Sequence, residues 1–310
     1  EPAPGNRVYA FRSLDQGDSW QPCGLVHPES GEAVYATEVT VVDGVASAFL
    51  QVHNGRFLNM RCVVMRSLDS GRTWADGGAV PFFPTYCFVR GMLRLPGGEI
   101  ILPCQYFPVS EAENARLVLS NHNVTSILHQ RAIWDAAVDY LGNDVIISGD
   151  GGKTYSRFAG PRIAIKGNTG RRWAWTEPTL AQLADGTIAM LLRVDGTGCL
   201  WRSDSKDLGR TWTEAVRTDI PNPGNKPKLI PLPDGRIALI HTPNPAVGFA
   251  NRQPLSLWIS DDNLRTFADR RILTDFPGRY CYPDGFHENG HILFTIEINR
   301  HEILFFDCAV

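Results

Sequence analysis

The chain has 310 residues, 43% of them hydrophobic and 20% charged, with a formal net charge of −3, the composition of a globular protein with room for a large core. So even a balance of charge leaves no basic footprint for nucleic acid, and no apolar run is long enough to cross a bilayer as a helix. Seven scattered cysteines, an odd number without CxxC spacing, argue for buried free thiols over a disulfide framework or a structural zinc.

The opening Glu1-Pro2-Ala3-Pro4-Gly5 reads as a trimmed start, so the missing signal peptide does not fix a compartment. Free thiols lean toward a reducing, cytoplasmic one, with secretion or the periplasm still open. The first strand-like run is Arg7-Val8-Tyr9-Ala10-Phe11-Arg12, and it leads into SLDQGDSW at 13–20. The same phrase, Ser-x-Asp-x-Gly-x-Thr-Trp, returns as SLDSGRTW at 67–74, SGDGGKTY at 148–155 and SKDLGRTW at 205–212, with a degraded copy, SDDNLRTF, at 260–267. Most copies lie about 55 residues apart, a spacing in the range of propeller blades. The Asp suits the hydrogen bonds of a tight turn, the Gly a backbone angle other residues resist, and the Trp or Phe packing beneath the turn.

A second repeat runs in phase with this box. VVDG at Gly44, RLPGG at Gly98, QLADG at Gly186, PLPDG at Gly235 and HENG at Gly290 each precede an apolar run, as in TIAMLLR and RIALIHT. Asp-Gly between β-rich runs predicts a hairpin. The unit is therefore strand, turn, strand, third strand, box, fourth strand, which is one propeller blade. An irregular insertion at about 110–143 stretches one unit; within it AIWDAAVDYLG, 132–142, is expected as a short helix or an irregular excursion, and the sequon Asn123-Val124-Thr125 as chance. The chain ends in a hairpin and a third strand, 301–306, without a box, and begins with a third strand and a box without a hairpin. Two strands would compete for one place if the ends shared a blade. The expectation is an all-β, six-bladed propeller in a single domain, residues 1–310, with five blades as the alternative.

Box turns identify a fold and not a chemistry. Three segments place ionisable groups at the ends of, or inside, apolar strands, where charge is costly unless paired or used on a ligand. They are Trp173-Ala174-Trp175-Thr176-Glu177-Pro178-Thr179 with Met190-Leu191-Leu192-Arg193, then Arg252-Gln253-Pro254-Leu255-Ser256-Leu257-Trp258, then Tyr280-Cys281-Tyr282-Pro283-Asp284-Gly285-Phe286 with the run from Phe294 to His301.

WTEPTLAQLADGTIAMLLR, WRSDSKDLGRTW, RQPLSLWIS and YPDGF with FTIEINRHEI resemble the sialidase (neuraminidase) superfamily, in particular its BNR/Asp-box branch, over most of the chain from Ser13 onward. The resemblance implies a six-bladed propeller with an axial active site. It implies a retaining hydrolysis by a Tyr nucleophile paired with a Glu, an Asp acid/base and an arginine triad; sialidases are among the glycosidases that use Tyr in place of a carboxylate nucleophile. Carried over, Tyr282 matches the nucleophile, Glu177 the residue that draws its proton, Arg193 and Arg252 two carboxylate-binding arginines, and Glu297 the residue that orients an arginine. Asp284, Trp175 and His301 join them as candidate substrate contacts. A sialic acid carries a carboxylate on its anomeric carbon, so a neutral Tyr avoids the repulsion a carboxylate nucleophile would meet, and arginines bind that carboxylate through paired, charge-assisted bonds.

Each residue keeps a plainer reading beside this one. Glu177 is then a rim carboxylate, Arg193 and Arg252 pair with acids such as Asp195 or Asp261, and Tyr282 is a core aromatic. Glu297 and Arg300 form a cross-strand pair, and Trp173 and Trp175 pack the blade instead of stacking on sugar. The match breaks at the start, where 5–12 offers no Asp for the acid and no Arg-Ile-Pro motif. Arg90 and Arg300 are candidates for the missing arginine, His53 and His301 for the acid. The expected activity is exo-acting hydrolysis of a terminal anionic, sialic acid-like sugar. The alternatives are a lyase or glycosidase acting on uronic-acid polysaccharides, or a non-catalytic glycan-binding propeller. The implied partner is an anionic carbohydrate, no metal or organic cofactor is implied, and the oligomeric state is left open.

Overall fold

The computed structural model describes residues 4–53, 60–81, 87–120, 138–164 and 175–310. Among them nearly every regular element is a β-strand, with one short α-helix and a 3-10 turn, so the fold is all-β. Among the described residues, no helix is long and apolar enough to cross a membrane. All seven cysteines are free thiols, five of them buried. The chain divides into two compact units, Glu1–Met92 with Tyr106–Val138, and Leu93–Gln105 with Asp139–Val310.

In the first unit, β1 (Tyr9–Arg12) and β2 (Gln21–Leu25) pair around the first box. Strands β3 (Ala33–Val42), β4 (Val45–His53), β5 (Arg61–Ser67) and β6 (Ala75–Ala79) form an antiparallel sheet in chain order. Asp43 and Gly44 turn its first hairpin, both left-handed at φ 51° and 79°, which suits the twist of the strands they join. Val34, Ala48, Leu50, Val52 and Met65 make up a buried cluster. The short strand β7 (Cys87–Val89) is buried throughout. Helix α1 (Glu111–Ser120) begins where the Glu113 amide donates to Ser110 Oγ at 3.1 Å, a side-chain cap. The helix or excursion expected at 132–142 lies outside the described residues up to 137, as does the sequon; its tail is strand.

The second unit repeats one sheet. Strands β8 (Leu93–Arg94), β9 (Ile100–Tyr106), β11 (Val145–Ser148) and β12 (Ser156–Phe158) pair in that order, and within the stretched repeat β10 (Tyr140–Gly142) pairs with β13 (Arg162–Ala164). Then come β14 (Thr176–Gln182), β15 (Ile188–Val194), β16 (Cys199–Ser205) and β17 (Val216–Pro221), followed by β18 (Lys228–Pro231), β19 (Ile237–His241), β20 (Ser256–Ser260) and β21 (Asp269–Ile272). A three-stranded sheet of β22 (Tyr280–Glu288), β23 (His291–Ile298) and β24 (Glu302–Ala309) closes the series. The second strand of a sheet is apolar on both faces because each face meets a different neighbour; β15, IAMLLRV, is buried at every residue. Met190 and Leu192 pack with Ile101 and Val145 of the preceding sheet, Ala189 and Leu191 with Leu239 and Trp258 of the next, and Ile240 and Leu257 with Phe294 and Ile296 of the last. Two-residue alternation thus divides one strand between two cores, each large side chain contributing roughly 1.5–3 kcal/mol by burial.

The tight turns gather at one end of these sheets. Gly186, Gly235 and Gly290 close the first hairpins at φ 83°, 89° and 83°, and antiparallel pairing returns the third strand to that same end, where a box begins. In the box at 205–212 the Gly209 amide donates to Ser205 Oγ at 2.8 Å, the Thr211 amide and hydroxyl to the two Asp207 oxygens at 2.8 and 2.6 Å, and Trp212 Nε1 to Gly209 O at 2.9 Å. The boxes at 13–20, 67–74 and 148–155 repeat the Ser and Asp bonds. The degraded copy keeps them too: Leu264 occupies the Gly place at φ 65° and its amide donates to Ser260 Oγ at 2.9 Å. Donors on the Ser or Thr four residues on hold the Asp15, Asp69, Asp207 and Asp262 carboxyls down at about 2.

Candidate active site

At the end remote from the boxes, the sheets of β14–β17, β18–β21 and β22–β24 bring their ionisable residues together. Glu177, second in β14, lies directly opposite Arg193, next to last in β15. Arg193 Nη1 donates to Glu177 Oε2 at 2.5 Å and Nε to Asp195 Oδ1 at 2.8 Å. The Glu177 side chain is fully enclosed and that of Arg193 is 5% exposed. Burial works against the Arg193 charge, but Asp195, Glu177 and then Tyr282 more than offset it and its pKa is raised. One guanidinium held by two carboxylates is rigid and carries a net negative charge.

Gly224 connects this triad to the next sheet. A Cβ there would stand 2.8 Å from Asp195 Oδ1, so the approach requires glycine. The Gly224 carbonyl accepts from Arg252 Nη2 at 2.7 Å, and Arg252 Nη1 donates to Cys281 Sγ at 3.1 Å. The Tyr280 amide donates to Arg252 O at 3.0 Å, and Asn225 Nδ2 donates to Tyr280 O at 2.7 Å. Arg252 is thereby clamped between two sheets, 7% exposed, with its buried Nε lacking a hydrogen-bond partner. Cys281 faces Glu297 across β22 and β23. Burial pushes the Cys281 thiol up; Arg252 and Arg193 pull it down and Glu297 pushes it further up, so all three charged groups lie within electrostatic reach of one sulfur.

Tyr282 follows on a bulge that shifts the β22–β23 register between Cys281 and Asp284. Its φ is 55°, a strained value for a bulky side chain, and it is 42% exposed. The core aromatic of this strand is instead Tyr280, fully buried with its hydroxyl donating to Phe276 O at 2.8 Å. Asp284 forms an ion pair with Lys228. Burial raises the Asp284 pKa, yet Lys228 and Lys226 outweigh it and the net shift is downward.

Trp175 is half-buried and fixed to Asp195 through its backbone, donating to Oδ2 at 3.3 Å and accepting from the Asp195 amide at 3.2 Å; Trp173 lies outside the described residues. Arg300 and His301 occupy the exposed turn after β23. Arg90 belongs to the first unit, its guanidinium 4.5 Å over the Phe88 ring, as does the buried His53, which meets Tyr35 edge-on at 6.0 Å. Sequence reasoning missed Lys226, Lys228, Gly224, Cys281 and Phe249. A Lys-Pro-Lys run opening an inner strand, 226–228, was the one signal available for the lysines.

The profile of the BNR repeat-like domain matches residues 8–294. Among solved structures, the chain is similar to the Hadza microbial sialidase Hz136, at a TM-score of 0.73 and 17% identity over 98% of this chain and 59% of that one. It is similar to Trypanosoma rangeli sialidase in complex with 2,3-difluorosialic acid, described as a covalent intermediate, at a TM-score of 0.67 and 16% identity, over 98% of this chain and 49% of that one. A Dyadobacter fermentans protein of unknown function matches at a TM-score of 0.66 and 16% identity, over 96% of this chain and 81% of that one. No curated protein matches. The chain spans 59% and 49% of the two sialidases' lengths, and identities this low establish a shared fold.

Proposed function

The chain belongs to the BNR repeat-like domain family, and from that premise we propose that it is an exo-acting, sialidase-type glycoside hydrolase that releases a terminal anionic sugar, built as one six-bladed β-propeller. Tyr282 is the nucleophile and Glu177 the base beside it. Arg252 is the principal ligand of the sugar carboxylate, because it is buried and keeps an unpartnered N–H. Arg193 is committed to Glu177 and Asp195 and fixes the Glu177 carboxylate in place. Glu297 faces Cys281, whose sulfur accepts from Arg252, near the end of β23.

The Tyr282 hydroxyl passes its proton toward Glu177 as its oxygen forms a bond to the anomeric carbon and the glycosidic C–O bond breaks. Water then cleaves the tyrosyl–sugar bond and retains configuration. A natural glycan leaving group needs a proton as it departs. A phenolate does not, so an aryl sialoside isolates the tyrosine step.

One observation supports this reading above the rest: the buried Arg252, with its Nε unpartnered, donates to the sulfur of Cys281, the residue before Tyr282, which faces Glu297 across β22 and β23. The test is release of the chromophore from aryl sialosides, with Tyr282→Phe and Arg252→Ala as controls. Turnover lost in both variants is the expected result; an intact chain that cleaves no sialoside of any linkage or leaving group refutes the proposal.

A further inference from the structure

Three guanidinium groups surround one aromatic ring beside this site. Phe249 opens the 3-10 turn Phe249–Asn251, and the central carbons of Arg252, Arg279 and Arg300 lie 4.9, 4.9 and 4.3 Å from its ring centroid. Any two of those carbons are therefore within about one Debye length of each other, ~10 Å at 0.1 M salt. None of the three forms an ion pair with a carboxylate among the described residues. Arg279 Nε reaches only Asn299 Oδ1, at 3.4 Å. Arg300 is presented from a turn in which it and Asn299 are both left-handed, φ 67° and 55°. Behind them stands the buried Arg252 with Nε unpartnered. The ring face offsets part of the repulsion among three like charges; an anion would offset the rest.

We infer that Arg279 and Arg300, both exposed and gathered on Phe249 beside Arg252, form an anion subsite for a tetrahedral oxyanion, a sulfate or phosphate ester carried by the glycan. Such a group offers three terminal oxygens, so it accepts from both guanidiniums at once, while Arg252 stays with the sugar carboxylate. That the oxyanion arrives on a glycan rests on the function proposed above. Binding of the oxyanion itself does not.

The test is calorimetric titration of the whole chain with inorganic sulfate and with inorganic phosphate, against chloride at matched ionic strength. It is repeated on Arg279→Gln, Arg300→Gln and Phe249→Leu, with thermal unfolding as the check on folding. Saturable oxyanion binding is expected, about tenfold weaker in each arginine variant, the scale of one charge-assisted contact. Tyr282→Phe should bind oxyanion as the unaltered chain does, which separates this site from the hydrolytic reading. Sugar sulfates and sugar phosphates compared with the neutral sugar then identify which ester is preferred. Equal affinities in Arg279→Gln, Arg300→Gln and the unaltered chain overturn the inference. So does the absence of saturable binding below the ~0.1 M salt that screens such charges.

Discussion

Replacing Arg193 with alanine removes the cation that two buried carboxylates share. Glu177 is fully enclosed and the Asp195 side chain only 10% exposed, so neither acid recovers its hydration when the guanidinium is gone. Two charge-assisted bonds are lost, each worth about 1.5–3 kcal/mol, and stranding one partner of a buried pair costs about 3–5 kcal/mol. The expected loss for Arg193→Ala is therefore about 3–5 kcal/mol, read from urea unfolding followed by tryptophan fluorescence. Arg193→Lys should fall between, since a single ammonium does not reproduce the planar fork that spans both acids. Burial raises the pKa of a stranded carboxylate above its unfolded value, so the folded variant takes up protons that the unfolded chain does not. The deficit relative to the unaltered protein should shrink as pH falls toward the carboxylate range. A loss under about 1 kcal/mol, or a deficit indifferent to pH, refutes the view that this triad is desolvated and mutually dependent.

Tyr282→Phe should reduce turnover of an aryl sialoside by at least ~10³-fold while leaving stability within ~0.5 kcal/mol, because the side chain is 42% exposed; equal rates in the two proteins contradict the nucleophile assignment. Burial lowers the His241 pKa to about 3 and that of His53 to about 4. Both rings are neutral in the fold, so the stability they lend is intact above the unfolded value near 6.5 and is lost as pH falls toward 4 and 3. The slope reaches ~1.4 kcal/mol per pH unit for each ring, and a His241→Leu variant whose stability falls as steeply with acid as that of the unaltered chain argues against His241's share. Gly209→Ala and Gly186→Ala should each cost about 1–2 kcal/mol: both sit at positive φ, 87° and 83°, and at 209 the new methyl only reaches ordinary contact with Ile147 and Ile101, at 3.4 and 3.5 Å. Unfolding midpoints equal to that of the unaltered chain would refute the backbone strain.

The strands and turns of this protein were legible in the chain because the forces that set them are local. A box needs only eight consecutive residues to close its Ser and Asp hydrogen bonds, and even the copy with Leu264 in the Gly place folds alike. Glu177 opposite Arg193 follows from the hairpin register once the Asp185-Gly186 turn is fixed. Asp284-Gly285, although it reads like the other turn signals, lies inside β22, and the chain reverses at Asn289-Gly290; alternation with the facing strand overrode the dipeptide.

What lay beyond the sequence was every relation between sheets. Nothing near Arg252 in the chain indicates a cysteine 29 residues on or the carbonyl of a glycine 28 residues back. No local pattern announces that Lys228 will meet Asp284, or that Arg279 and Arg300 will share the ring of Phe249. Hydrogen bonding and two-residue alternation fix each sheet from within. Which charges face one another is decided only when the apolar faces of successive sheets are pressed together, and that packing is a property of the assembled core.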